Sequence, residues 1–108
     1  MRGREAMQLK VGTRLKGPAD DTQVIVVRAP VEDVEVSCGG HALVALEADV
    51  DQNLAVEPGH AGPTLLGKRY VDNALGLELL VTKPGNGALY VNGAALVVKE
   101  AKPLPSSD

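Results

Sequence analysis

The chain has 108 residues, which is enough for one domain with a buried core. Its formal net charge of −3 is spread along the sequence without a basic run, and two Tyr are its only Phe, Trp or Tyr residues. A nucleic-acid-binding surface normally needs clustered basic residues and aromatic side chains, so we do not expect this protein to bind nucleic acid.

Membrane insertion and secretion are not expected either. No apolar run approaches the ~18 residues of a membrane span, and the opening segment MRGREAMQLK lacks the apolar middle of a signal peptide. The lone cysteine fits a reducing compartment. We therefore expect a soluble cytoplasmic protein, and the Ala, Gly and Val bias is typical of a high-GC bacterial genome.

Strand-like segments occur along most of the chain. TQVIVVRAP is a β-branched run that ends at Pro30, and the alternation in DVEVSC places Val34, Val36 and Cys38 on one face. The remaining predicted strands lie in HALVAL, LGKRYV, LELLVTK, GALYV and AALVVK. The sequence thus predicts an all-β protein, a small closed barrel or sandwich of about eight short antiparallel strands.

Two dipeptides predict tight turns. Asn92-Gly93 suits a type I′ hairpin turn, which needs positive φ at both central residues, and it predicts that Val91 lies opposite Ala94. Pro84-Gly85 suits a type II turn, in which glycine supplies the positive φ at the second central residue.

The two halves of the sequence resemble each other. VGTRL aligns with LGKRY, and IVVRAPVEDVEVSCGGHALV aligns with LLVTKPGNGALYVNGAALVV after a shift of one residue. The aligned pairs are Gly12 with Gly67, Arg14 with Arg69, Val27 with Val81, Pro30 with Pro84, and Gly39 with Gly93. The pattern predicts a single domain of two pseudo-twofold-related β-meander repeats at 11–46 and 64–99, a connecting loop at 47–63, and loose termini at 1–6 and 102–108.

The segment SCGGH is the leading candidate for a chemical site. If Gly39 and Gly40 form the turn, Cys38 and His41 lie opposite each other with Cβ atoms about 5 Å apart. The alignment with Asn92-Gly93 would instead make Cys38-Gly39 the central pair and leave Cys38 exposed at the tip of the turn. One interpretation is a packed, inert thiol in phase with Val34 and Val36. A second is a nucleophilic thiol activated by His41, and a third is a zinc-like metal site in which His60 joins from the loop.

Charged residues supply weaker candidates. Arg14 and Arg69 occupy equivalent places in the two repeats, so twofold symmetry predicts that they could converge on an anionic ligand. The acidic pairs Asp20-Asp21 and Glu32-Asp33 fall where turns are expected, and there such residues usually cap backbone amides.

No catalytic constellation is complete in this sequence. The leading hypothesis is a non-catalytic binding or accessory module without a cofactor that acts as a homo-oligomer or with a larger enzyme, because a core so poor in aromatic residues would benefit from a partner. The alternative is a metal- or thiol-dependent protein using Cys38 and His41 with His60.

Overall fold

The computed structural model describes residues 6–99, so the predicted loose termini lie outside the described part of the chain apart from Ala6. Within residues 6–99 the protein is all-β and contains no helix. Its strands are β1 (Arg14–Lys16), β2 (Gln23–Arg28), β3 (Val36–Cys38), β4 (His41–Ala42), β5 (Val44–Ala45), β6 (Ala61–Thr64), β7 (Arg69–Asp72), β8 (Leu77–Lys83), β9 (Gly85–Gly87), β10 (Leu89–Val91), β11 (Ala94–Ala95) and β12 (Val97–Val98).

These strands form three antiparallel sheets. The largest has the order β12-β7-β8-β2-β1-β5, the second has the order β11-β10-β3-β4, and β6 pairs with β9. The end strands β12 and β5 of the largest sheet are not paired with each other, so the described strands do not form the closed barrel that the sequence suggested. The observed strands are also shorter and more numerous than predicted, because HALVAL and AALVVK are each divided into two strands.

The central pair of the largest sheet is β2 with β8. Val24 lies opposite Val81 and Val26 lies opposite Leu79, and all four side chains are buried. The strict alternation of β2 turns Gln23 and Ile25 to the other face. This sheet therefore has one core face and one outer face.

One hydrophobic cluster joins the two larger sheets. Val24 and Val26 of the six-stranded sheet belong to the same cluster as Val36, Cys38 and Leu89 of the four-stranded sheet. The core consists almost entirely of Val and Leu, with Tyr70 as its aromatic member among the described residues. Burial of these medium-sized aliphatic side chains supplies the main stabilising free energy of the fold.

The Asn92-Gly93 turn is confirmed. Asn92 has a φ of 50° and Gly93 a φ of 84°, and Val91 lies opposite Ala94 as predicted. These are the backbone angles that a type I′ turn requires of both central residues.

The predicted type II turn at Pro84-Gly85 is wrong. Gly85 is not among the glycines with positive φ, and the chain continues from β8 directly into β9. Glycine is required here by close packing instead, because a Cβ atom at Gly85 would collide with oxygen atoms of Thr22 and Asp20.

Matching hydrogen bonds occur in the two halves of the chain. Gly12 N donates to Val26 O and Gly67 N donates to Val81 O, at 2.8 and 3.0 Å. Between the halves, Gly39 N donates to Ala88 O at 3.0 Å and Asn92 N donates to Glu35 O at 2.7 Å. The residues in matching places of these bonds are Val26 with Val81 and Gly39 with Asn92, one residue away from the predicted matches of Val27 with Val81 and Gly39 with Gly93.

The packing around Gly85 predicts a large difference between two glycine substitutions. Gly85→Ala should lower the free energy of unfolding by about 1–3 kcal/mol, because its Cβ has no room. Gly62→Ala is the matched control: its Cβ would meet Ala88 Cβ at an ordinary 3.7 Å, and the change should stay within about 0.5 kcal/mol. Urea unfolding measures both, and equal effects would contradict the close approach.

Candidate functional site

The SCGGH segment is a tight hairpin turn between β3 and β4. Gly39 and Gly40 are its central residues, with φ of 65° and 89°, and Cys38 lies directly opposite His41. The structure thus selects the register in which both glycines occupy the turn.

Cys38 is completely buried and has two polar neighbours. Its Sγ lies 3.5 Å from Asp20 Oδ1 and 3.5 Å from Gly87 O, where the thiol can donate. Burial raises the pKa of the Cys38 thiol from 9.0 to about 12, and the neighbouring Asp20 carboxylate adds to the rise. The thiol is therefore protonated at neutral pH, which is the opposite of what a nucleophilic cysteine needs.

The two histidines have separate environments. His41 Nε2 forms a 2.8 Å hydrogen bond with Ala55 O in the connecting loop. The His60 ring packs against Tyr90 with 4.6 Å between ring centroids, and its buried Nδ1 has no hydrogen-bond partner within the described part of the chain. Among residues 6–99, no three His, Cys, Asp or Glu side chains group closely enough to hold a metal ion, so the structure does not assemble Cys38, His41 and His60 into a metal centre.

Asp20 occupies the centre of a polar cluster. Its Oδ2 accepts hydrogen bonds from Thr22 Oγ1 at 2.6 Å, Asn86 N at 2.8 Å and Gly87 N at 2.7 Å. The expected capping of backbone amides is therefore seen for Asp20, but the capped amides belong to β9 and not to the local turn. Thr22 continues the cluster through a 2.7 Å hydrogen bond to Thr64.

Arg14 and Arg69 lie on the outer face of the same sheet but do not converge. Arg14 is opposite Ile25, Ile25 is opposite Leu80, and Leu80 is opposite Arg69. Three strand spacings separate the two arginine backbones, which is roughly 14 Å. Two aliphatic residues, Ile25 and Leu80, lie in the row between the arginines.

Arg69 is held by an internal carboxylate. Its Nη1 lies 3.1 Å from Glu78 Oε2, and Lys99 Nζ lies 3.2 Å from Glu78 Oε1. The Glu78 side chain is only 1% exposed, although it belongs to the outer face by alternation along β8. Two cations thus compensate one buried carboxylate, which would be costly to bury without them.

Arg14 borders a pocket instead. The pocket has a volume of about 280 Å³ and is lined by Arg14, Gln23, Ile25, Leu46 and Thr82. Among residues 6–99, no carboxylate oxygen lies within ion-pair distance of the Arg14 guanidinium. A cation, a neutral amide and aliphatic side chains around one small opening are the components of a site for a small polar ligand.

Sequence reasoning identified Arg14 and missed the residues around it. Gln23 and Ile25 could have been found, because the alternation of β2 places them on the face opposite Val24 and Val26. Leu46 and Thr82 could not, because their proximity depends on the order of the strands.

Comparison with known proteins yields no relative of this chain: no protein-family model, no curated protein and no solved structure matches it. Among the described residues, no helix is long and apolar enough to cross a membrane.

The environment of Cys38 predicts a specific alkaline loss of stability. Between pH 9 and about 12 the unfolded chain releases the thiol proton while the folded protein retains it, so the free energy of unfolding should fall as pH rises. The loss attributable to Cys38 is at most about 1.4 kcal/mol per pH unit. Cys38→Ser should remove this part of the loss, measured by urea unfolding at pH 8 and pH 10.5; parallel curves for the two proteins would contradict the raised pKa.

Proposed function

We propose that the protein is a non-catalytic binding module whose binding site is the pocket beside Arg14. The observation that carries the proposal is an arginine without a carboxylate partner among residues 6–99 at the edge of a small pocket. On the same outer face, Arg69 has its charge compensated by Glu78. An uncompensated guanidinium beside an open surface pocket is well suited to recognise an external group, because its donors have a fixed planar geometry.

The other candidate residues support a role without chemistry. The Cys38 thiol is protonated and completely buried, and the Asp20 carboxylate is engaged by Thr22, Asn86 and Gly87. Groups in this state stabilise the structure and are not positioned to react with a substrate. We also propose a cytoplasmic location for the protein, because a reducing compartment would keep Cys38 as a free thiol.

We further infer that the fold is a sandwich built from a duplicated unit. The matching hydrogen bonds of Gly12 and Gly67 support the duplication, and so does the pairing of each half with the other. Val24 lies opposite Val81, Ile25 opposite Leu80, and Val26 opposite Leu79. A twofold axis between Ile25 and Leu80 would exchange the first of these pairs with the last. The common hydrophobic cluster supports packing of the two larger sheets on one another.

A second candidate function is association with another copy of the chain through β12. This strand is at the edge of the six-stranded sheet, and Val97 and Val98 are 60% and 36% exposed. Unprotected edge strands readily pair with other chains, and an antiparallel β12–β12 pair would be self-complementary under twofold symmetry. The opposite edge, β5, is less suited because its residues are Val44 and Ala45, of which Val44 is half-buried.

The pocket proposal predicts that small molecules perturb one local region. In a screen of small acids, amides, amines and alcohols by ¹H–¹⁵N NMR, at least one class should shift the amides of Arg14, Gln23, Ile25 and Thr82 in a saturable manner. Thr82→Phe should abolish the shifts by filling the pocket, whereas Asn73→Phe, at an exposed turn, should preserve them. Shifts scattered over the surface, or none, would refute a site at Arg14.

The association proposal predicts concentration-dependent dimerisation that is sensitive to one edge. Light scattering after size-exclusion chromatography should show dimers, and Val97→Lys should weaken them at least about tenfold by placing a charge on the edge strand. Val31→Lys is the control, because Val31 is 97% exposed but lies outside the sheets. A monomer at every concentration, or equal weakening by both variants, would exclude the β12 contact.

A further inference from the structure

The second half of the chain contains a charge cluster at the place that corresponds to the Arg14 pocket. Arg14 lies opposite Ile25 on the neighbouring strand, and Arg69 lies opposite Leu80 in the same way. Gln23 is two residues before Ile25, just as Glu78 is two residues before Leu80. The place of the pocket amide Gln23 is therefore taken by a carboxylate in the other half.

The pocket residue Leu46 also has a counterpart in the second half, which is Lys99. Ala45 lies opposite Leu15 and is followed by Leu46, whereas Val98 lies opposite Tyr70 and is followed by Lys99. One half thus brings together Arg69, Glu78 and Lys99, and the other brings together Arg14, Gln23 and Leu46. The first set contains its own anion, and the second set contains a cation without one.

We propose that the Arg14 pocket binds a small monocarboxylate with a short apolar chain, whose carboxylate takes the role that Glu78 has beside Arg69. Arg14 would donate to the carboxylate, since a guanidinium and a carboxylate match in geometry and charge. The Gln23 amide can donate a further hydrogen bond to the same group. This inference rests on the proposed function, since it names the ligand class of that site.

The remaining walls of the pocket define the rest of the ligand. Leu46 replaces the second cation of the Glu78 cluster, and together with Ile25 it provides aliphatic surface. This apolar wall favours an anion that carries a few methylene groups over phosphate, which has no apolar part. The cross-strand neighbours of Gln23, Lys16 and Lys83, add positive potential that attracts anions to this face. A volume of about 280 Å³ is at the small end for ligand pockets, so the ligand is small.

The test is a titration of the ¹⁵N-labelled protein with sodium butyrate, its neutral isostere butyramide, and inorganic phosphate, all at one ionic strength. Butyrate should shift the amides around Arg14 and Gln23 in a saturable manner and bind at least about tenfold more tightly than butyramide, because the charge-assisted hydrogen bonds are lost in the amide. Phosphate should bind more weakly than butyrate.

Two variants sharpen the test. Gln23→Glu supplies Arg14 with an internal carboxylate like that of Glu78, and it should weaken butyrate binding at least about tenfold, as should Arg14→Gln. Arg28→Gln is the matched control, because Arg28 is an exposed arginine on β2 that does not line the pocket, and its affinity should stay within about twofold of wild type. The dispersion of each variant's amide spectrum verifies that it is folded, and Arg14→Gln decides the outcome if Gln23→Glu does not fold.

The outcomes separate this inference from the proposed function. If butyramide or phosphate binds the pocket as tightly as butyrate, the carboxylate class is wrong while a binding site at Arg14 stands. If both pocket variants bind butyrate like wild type, Arg14 does not recognise a carboxylate: the ligand class is wrong, while the pocket remains a binding site. If no probe shifts the pocket amides, both proposals fail.

Discussion

The antiparallel pairing of β2 with β8 joins the two halves of the chain at the centre of the largest sheet, and it sets which side chains of these strands face the core. These strands place Val24, Val26, Leu79 and Val81 in the core. On its other side, β2 pairs with β1 and β8 pairs with β7, each from the same half of the chain. On the outer face the same pairing brings Ile25 next to Leu80 and sets the distance between the two arginines. A shift of one residue in this register would exchange the core face and the outer face of both strands.

Polar contacts around Asp20 help to hold the strands in place beside a core that has little aromatic surface. Asp20 connects the segment before β2 to the amides of β9, and Thr22 and Thr64 extend the cluster. Because these groups satisfy one another, their burial carries a small penalty. The glycines nearby serve the same cluster, since Gly85 and Gly87 permit backbone approaches that a side chain would prevent. Cys38 is part of this arrangement and fills space between polar neighbours and the aliphatic core.

Local signals in the sequence predicted local structure well. The alternation around Val36 and Cys38 and the φ preference of Asn92-Gly93 are properties of neighbouring residues, and both were correct. Pro84-Gly85 failed because the glycine is needed by contacts with residues far away in the chain. The closed barrel failed for a related reason, since the pairing of end strands is not encoded in any one segment.

The candidate sites show the same difference between local signals and contacts of distant residues. The sequence predicted equivalent positions for Arg14 and Arg69, but only the strand order shows that β2 and β8 separate them. Glu78 would be assigned to solvent by alternation alone, and its burial follows from the positions of Arg69 and Lys99 on neighbouring segments. The pocket, formed by residues from β1, β2 and β8 and by the residue that follows β5, had no signal in any single stretch of sequence.

Strands of the first half pair with strands of the second half, and this has a consequence for synthesis on the ribosome. Contacts such as Glu35 with Asn92 join residues 57 positions apart, so their loop-closure entropy must be met before the contacts can stabilise anything. When the first half has been translated, β2 and β3 still lack their partners β8 and β10. The nascent chain then presents open strand edges for as long as translation of the second half takes, and during this interval it is most exposed to aggregation or to capture by chaperones.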